Sequence, residues 1–261
     1  MMRSLYTAAT GMEAQEIKMD VIANNLANTS TTGYKKNRAE FEDLLSETLK
    51  SATPTSPQGG GAPEALQVGL GVRTIATTRG LQQGDMLNTG NPLDVAIDGQ
   101  GYLMVQRPNG ETAYTRSGNL RVDATGRLVT QNGEQITPNI TVPQDATSIT
   151  IQPDGQVLAK MPGKDDQTNL GSLELANFAN PAALEAIGGN NFLQTGASGE
   201  PQRVKPGEGG TGLLTQGFLE GSNVKAVEEM IAMISTQRAY EMNSKIITTA
   251  DQMLQKLTSL R

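Results

Sequence analysis

A chain of 261 residues is long enough for one large or two medium domains. With 3% aromatic residues, no Trp and 29 Gly, it lacks the apolar area per side chain that a large dense core needs, and modest β domains with many tight turns suit it better. The absence of His and Cys removes the commonest general base together with disulfide, thiolate and zinc–thiolate chemistry, and the net charge of −6 argues against a nucleic-acid partner.

The charge is unevenly spread. Residues 1–40 carry five basic and four acidic side chains and residues 220–261 carry five of each, which leaves about −7 for the middle. The only basic cluster, Lys35, Lys36 and Arg38, reads as the solvated flank of a helix. No run of about 18 apolar residues is present to span a membrane. No apolar core follows the lone Arg3, so a cleaved signal peptide is not expected. Composition alone places such a chain in the cytoplasm, unless export uses an uncleaved signal.

In chain order, the first predicted element is a helix over 4–27, with Ser4 as its N-cap. Leu5, Met12, Met19 and Leu26 recur every seven residues, with Ala8/Ala9 and Ile22/Ala23 between them, and make a narrow coiled-coil seam. Asn24, Asn25 and Asn28, followed by the hydroxyl-rich run to Gly33, end that helix because their side chains compete for backbone hydrogen bonds. A second short amphipathic helix is expected over 37–50, with Phe41, Leu44, Leu45 and Leu49 on one side. The three Pro and three consecutive Gly within 51–65 predict a flexible or extended segment.

From 66 to 214 the pattern is β. Hairpins are expected around Pro108-Asn109-Gly110 and around DATG at 123–126, and further turns at Asn132-Gly133 and Asp154-Gly155. Residues 147–151 alternate as a half-buried strand, 182–187 read as a short helix, and 198–212 as irregular chain. A second long helix is expected over 224–260, capped by Ser222 or Asn223, with Glu228 and Glu229 favourably placed in its first turns. Met233, Tyr240, Ile247 and Leu254 form one heptad stripe on it. Ala239, Ile246, Met253 and Leu260 form another, with Leu257 beside them.

At about 1.5 Å per residue the two helices measure roughly 35 and 55 Å. Pairing them brings the termini together and leaves the β region as an insertion, giving an α+β fold. The wider second helix keeps apolar surface after meeting one narrow partner, which predicts oligomerisation. The expected self-assembly residues are therefore Leu5, Met12, Met19, Ile22, Asn24, Asn25, Leu26 and Asn28 at one end. At the other they are Met233, Tyr240, Ile246, Ile247, Met253, Leu254, Leu257 and Leu260. Isolated monomers are expected to have largely disordered ends, because thin-seamed helices gain most of their stability from packing.

Chemistry is sparse. Gly69-Leu-Gly71 and Gly99-Gln-Gly101 do not continue into a phosphate-binding loop, and DATG lacks the alternating oxygen ligands of a calcium site. Asp94 and Asp98 share one strand face and have the form of a carboxylate pair for glycan hydrolysis. Without an aromatic-rich cleft they read as strand-end and turn residues. No catalytic, cofactor or metal residue is assigned, and the 11 Met read as flexible packing in helix seams.

IANNLANTSTTGY at 22–34 is similar to the signature of the flagellar rod and hook family of axial proteins. EGSNV at 220–224, EEMI at 228–231, QRAY at 237–240 and ADQML at 250–254 resemble that family's other end. LDVAIDG at 93–99, GYL at 101–103 and YTR at 114–116 resemble its β domain. The length, the single β domain and QVGLGVR at 67–73 look most like the distal-rod members; the proximal rod members are the nearer alternative and the longer hook members the more distant one. The resemblance implies a non-enzymatic, self-assembling periplasmic tube lined by terminal helical segments 1–34 and 222–261. Segments 35–91 and 201–221 would connect, and 92–200 would form an outer all-β domain. It also implies passage through the flagellar export apparatus without processing. The implied partners are copies of itself, proximal rod proteins, the hook protein and the P-ring and L-ring bushing, with no cofactor.

Overall fold

The computed structural model describes residues 2–50, 65–163 and 167–259, without the side chains of Leu257 and Ser259. The predicted flexible segment therefore lies outside the described residues, except for Ala65. The chain divides into two compact units, one of residues 1–27, 37–78 and 225–261, the other of residues 28–36 and 79–224. Long N- and C-terminal helices flank a central β domain, as the α+β reading expected.

The first unit is built on helix α1, Met2–Ala27, and helix α2, Ala226–Ser259. Helix α1 starts two residues before Ser4, so that residue lies inside the helix and is not its cap. Helix α2 begins at Ala226, four residues past Ser222, whose Oγ accepts a hydrogen bond from the Val224 amide at 3.3 Å in the turn before the helix and so does not cap it. Glu228 and Glu229 in its first turn and Lys256 in its last complement the helix dipole. The helices pack against each other and run antiparallel. Asn25 donates to Glu229 Oε2 at 3.2 Å, and a Cβ at Gly11 would sit 2.9 Å from Asn243 Nδ2. Those contacts are fourteen residues apart on each helix, in opposite senses. A side chain at Gly11 would meet only the end of the Asn243 side chain, which would have to swing aside.

Residues 37–50 are not helical. They form strands β1, Asn37–Asp43, and β2, Glu47–Lys50. Strand β2 pairs antiparallel with β3, Leu66–Val68, while β1 pairs with β4, Val72–Arg79. The leucine spacing suggested a helix, but Leu45 is 89% exposed, so those leucines form no core-facing stripe. The β-branched run of β4 offers β1 a ladder instead, and ion pairs Arg73–Glu42 and Arg38–Glu40 decorate the ribbon. Non-local pairing overrides the local 3–4 spacing.

The second unit holds a nine-stranded sheet. Strand Tyr102–Gln106 pairs with Thr112–Thr115 across the Pro108-Asn109-Gly110 turn, and Leu120–Val122 pairs with Leu128–Thr130 across DATG, as expected. Gly133 and Gly155 hold φ of 81° and 88° at the predicted Asn-Gly and Asp-Gly turns. The expected half-buried strand is Ser148–Ile151, in a separate three-stranded sheet. The short helix expected over 182–187 is one 3-10 turn, Pro181–Ala183, followed by strand Glu185–Gly188. The segment expected to be irregular contributes strand Gln202–Val204, paired with Leu175–Asn177.

Strand Tyr102–Gln106 is buried on both faces up to Val105. Alternation sends Leu103 and Val105 into an aliphatic core with Val95, Ile97 and Leu128, and Tyr102 and Met104 into a second cluster with Tyr114, Phe178 and Phe192. The scarce aromatics are concentrated there, edge to face: Tyr114 and Phe178 have ring centroids 4.8 Å apart, and the Arg79 guanidinium lies 4.4 Å from the Phe192 centroid. At Gly118 an added Cβ would overlap the Val95 carbonyl, against which the Gly118 carbonyl also bonds the Val95 amide at 3.0 Å. Gly118→Ala is expected to lower the stability of this unit by about 1–3 kcal/mol in chemical denaturation, with no change in the helical signal.

Candidate assembly surface and a buried charge cluster

The seam residues of α1 take two positions. Ile22 is buried together with Ala8, while Leu5, Met12, Met19 and Leu26 are half-buried along the same side. Asn25 is also buried. Its amide donates to the Asn37 carbonyl at 2.8 Å and its Oδ1 accepts from the Asn37 amide at 2.9 Å, so it ties the end of α1 to the start of β1 while also reaching Glu229. Asn24 is exposed. Asn28 follows the helix and accepts at its Oδ1 from Thr31 Oγ1 at 3.1 Å, inside the turn that stops it.

On α2, Glu229, Thr236 and Ala250 are buried and Met233, Asn243, Ile247 and Leu254 half-buried, so the stripe through Met233, Ile247 and Leu254 borders the side packed on α1. Small and polar residues fill its centre, and Thr236 satisfies its hydroxyl on the Ala232 carbonyl at 2.8 Å. Tyr240, Ile246 and Met253 are exposed. Leu260 lies outside the described residues, as does the Leu257 side chain. The sequence pattern did not separate a third stripe, the one opposite α1. There Val227, Ile231, Ile234 and Met242 are exposed, Ile231 at 64%. Their spacing puts them on one helix face.

The second unit contains a cluster that sequence reasoning missed. Glu220 is 2% exposed and accepts from Lys35 Nζ at 2.6 Å and from the Arg116 guanidinium at 2.5 Å. Arg116 also donates to the carbonyls of Gly101 at 2.6 Å, Ile97 at 3.2 Å and Gly99. Lys35 donates to the Gln82 carbonyl at 2.8 Å, and the Gly84 amide to Glu220 Oε1 at 3.0 Å. Lys35 is therefore no solvated helix flank. Two cations share one carboxylate, and surplus donors are absorbed by backbone carbonyls. Burial pushes the Glu220 carboxyl up, but the Arg116 charge and the bonds from Lys35 and Arg116 outweigh it and hold it below its ordinary value. Burial pulls the Lys35 ammonium down, against the pull of Glu220.

Around the cluster, four stretches of chain are laced together. The Gly33 amide donates to the Glu220 carbonyl at 2.8 Å, and Asn223 Oδ1 accepts from the Lys36 amide at 2.6 Å. Asn223 Nδ2 reaches the Gly80 and Gln82 carbonyls at 3.3 and 3.0 Å. Asn223 thus staples loops and does not cap α2. Signals for this cluster did exist: Glu220, Arg116 and Asn223 lie inside the quoted motifs, and Lys35 directly follows one.

Asp94 uses its oxygens locally, accepting from Thr89 Oγ1 at 2.6 Å and Asn91 Nδ2 at 3.0 Å, which is turn duty. Asp98 is exposed, with Gln83 Nε2 at 3.5 Å. Among the described residues no group of three or more Asp and Glu gathers as a metal site, and no helix is long and apolar enough to cross a membrane.

Three family models match the chain: "Flagella basal body rod protein" over residues 5–35, "Flagellar hook protein FlgE/F/G D1 domain" over 96–159, and "Flagellar basal body rod FlgEFG protein C-terminal" over 215–260. The chain is 49% identical to the flagellar basal-body rod protein FlgG of Caulobacter vibrioides over 261 residues, covering 100% of each. It is 49% identical to FlgG of Agrobacterium fabrum over 253 residues, covering 97% of each. Against the flagellar hook protein FlgE of Helicobacter mustelae, the 41% identity extends over 51% of this chain and 30% of that protein.

Proposed function

Because the chain belongs to the flagellar basal-body rod family, of which it is a structural subunit, we propose that it builds the distal part of the rod. In that role copies stack helically into a rigid hollow shaft that carries torque outward and leaves an export channel. The end-to-end match to rod proteins, where the hook match covers under a third of the hook chain, is the observation that carries this reading. The exposed apolar stripe of α2 supports it, since a lone subunit would leave that surface in water.

The assembly-forming parts are 1–34 and 222–261, with Leu5, Met12, Met19, Ile22, Leu26, Met233, Tyr240, Ile246, Ile247, Met253 and Leu254 contributing to helix packing. Residues 92–200 form the bulk of the β domain and 35–91 and 201–221 lead to and from it, with strand Gln202–Val204 still paired inside its sheet. The partners proposed are other copies of the chain, the proximal rod proteins, the hook protein, the P-ring and L-ring bushing, and the export apparatus that delivers subunits to the periplasm. Immunogold labelling or density mapping of isolated basal bodies tests the placement. Label between the proximal rod and the hook is the expected result, and label confined to the proximal end overturns it. Purified full-length chain is further expected to form tubes above a critical concentration, with helicity rising in circular dichroism as it does so.

A further inference from the structure

We infer that the face of α2 turned away from its own α1 is the seat for α1 of a second copy, aligned by two opposite-charge pairs. This deepens the assembly reading above and rests on it. Helical spacing places Val227, Ile231, Ile234, Arg238, Met242 and Lys245 along that one face of α2, all exposed. The face is apolar with basic charges along it, and Glu241 lies at its edge.

The outward face of α1 has the opposite character. Ala9, Glu13, Glu16, Asp20 and Ala23 share it and are exposed, giving small residues that permit close approach and three carboxylates with no base from α1 itself, while Arg73 of β4 lines the same hollow as Glu13. Glu13 and Asp20 are seven residues apart, as are Arg238 and Lys245, so each pair spans about 10 Å on its helix. None of Glu13, Glu16, Asp20, Arg238 and Lys245 makes an ion pair among the described residues. Copies assembled with a common polarity keep α1 and α2 antiparallel, which sets Glu13 over Lys245 and Asp20 over Arg238. This register is displaced by four residues, about 6 Å, from the intrachain one in which Gly11 faces Asn243. The two registers use opposite sides of α2, so one α2 can serve both its own α1 and a neighbour's. The occupant is thus a second copy, selected by matched charge spacing; the charges fix register and the apolar residues supply burial.

The test uses two full-length variants, Glu13→Lys/Asp20→Lys and Arg238→Glu/Lys245→Glu, with the folded state of each verified by near-ultraviolet circular dichroism. Each alone presents like charges across the contact, and its critical concentration for assembly is expected to rise about tenfold or more. An equimolar mixture restores opposite charges at every α1–α2 contact between unlike copies, so sedimentation is expected to show co-assembly in a 1:1 ratio near the parental concentration. Two folded variants that each assemble like the parent overturn the pairing, and so does a mixture that stays monomeric. Parental chain that assembles while the variants behave so sinks this pairing alone. A parental chain that stays monomeric, with variants that ignore each other, sinks the assembly reading as well.

Discussion

Glu220→Ala is expected to cost the β unit about 3–5 kcal/mol in urea denaturation. Among the described residues, the carboxylate is the only anion paired with two buried cations, Lys35 and Arg116, whose side chains are 4% and 5% exposed. Removing it leaves both charges uncompensated in a low-dielectric site, and desolvation then dominates. Glu220→Gln keeps the shape and is expected to fall close to Glu220→Ala, which separates charge from packing. A small effect of Glu220→Gln beside a large one of Glu220→Ala would assign the site to packing instead.

The same carboxylate sets a pH dependence with a definite sign. Its folded-state pKa lies below the ordinary 4.5, so it binds fewer protons in the folded than in the unfolded chain. The stability it contributes is therefore present above pH 4.5 and is lost as pH falls through the folded value. Lys35 is also held below its ordinary 10.5, mainly by burial, so in the window just below 10.5 the unfolded chain binds more protons and stability rises with pH. Unfolding free energies measured from pH 2.5 to 6 are expected to fall steeply at the acid end for the parent and less steeply for Glu220→Gln. Parallel acid slopes would remove Glu220 from the account.

The helices were legible because their pattern is periodic and local: heptad spacing at 5, 12, 19 and 26 needs no knowledge of what lies elsewhere in the chain. The hairpins with Asn-Gly, Asp-Gly and Pro-Asn-Gly turns were legible for the same reason. Residues 37–50 were not, because the partner that makes β1 a strand is β4, some thirty residues away, and leucines three or four apart look alike whether they face a core or solvent. The charge cluster was hidden for a related reason. Lys35 and Glu220 are 185 residues apart, and a lysine next to another lysine carries no local sign that it will be buried. On α2 the period located the apolar stripes but could not rank them. Only the packing of α1 shows that the side through Met233, Ile247 and Leu254 is partly covered and the side through Val227, Ile231 and Ile234 is open.

That ranking yields the second large effect, a contrast between two isoleucines. Ile231→Asp places a carboxylate on the open side of α2, where the side chain is 64% exposed. The monomer is expected to keep its stability within about 0.5 kcal/mol. Assembly, which must bury that side chain, is expected to fail outright, and with it motility of cells carrying the variant. Ile22 is 5% exposed between α1 and α2, so Ile22→Asp buries a charge within the chain's own helix pair. It is expected to cost the helix pair about 3 kcal/mol or more and to remove the part of the helicity that dilute monomer retains through its own α1–α2 contact, before any contact between copies is made. Far-ultraviolet circular dichroism of dilute protein and sedimentation of concentrated protein therefore give different patterns for the two. Ile231→Asp loses only the second signal, and Ile22→Asp loses both. If Ile231→Asp polymerised normally, the open stripe would have no role between copies, and the packing that holds the shaft together would have to lie on the flank marked by Tyr240, Ile246 and Met253 instead.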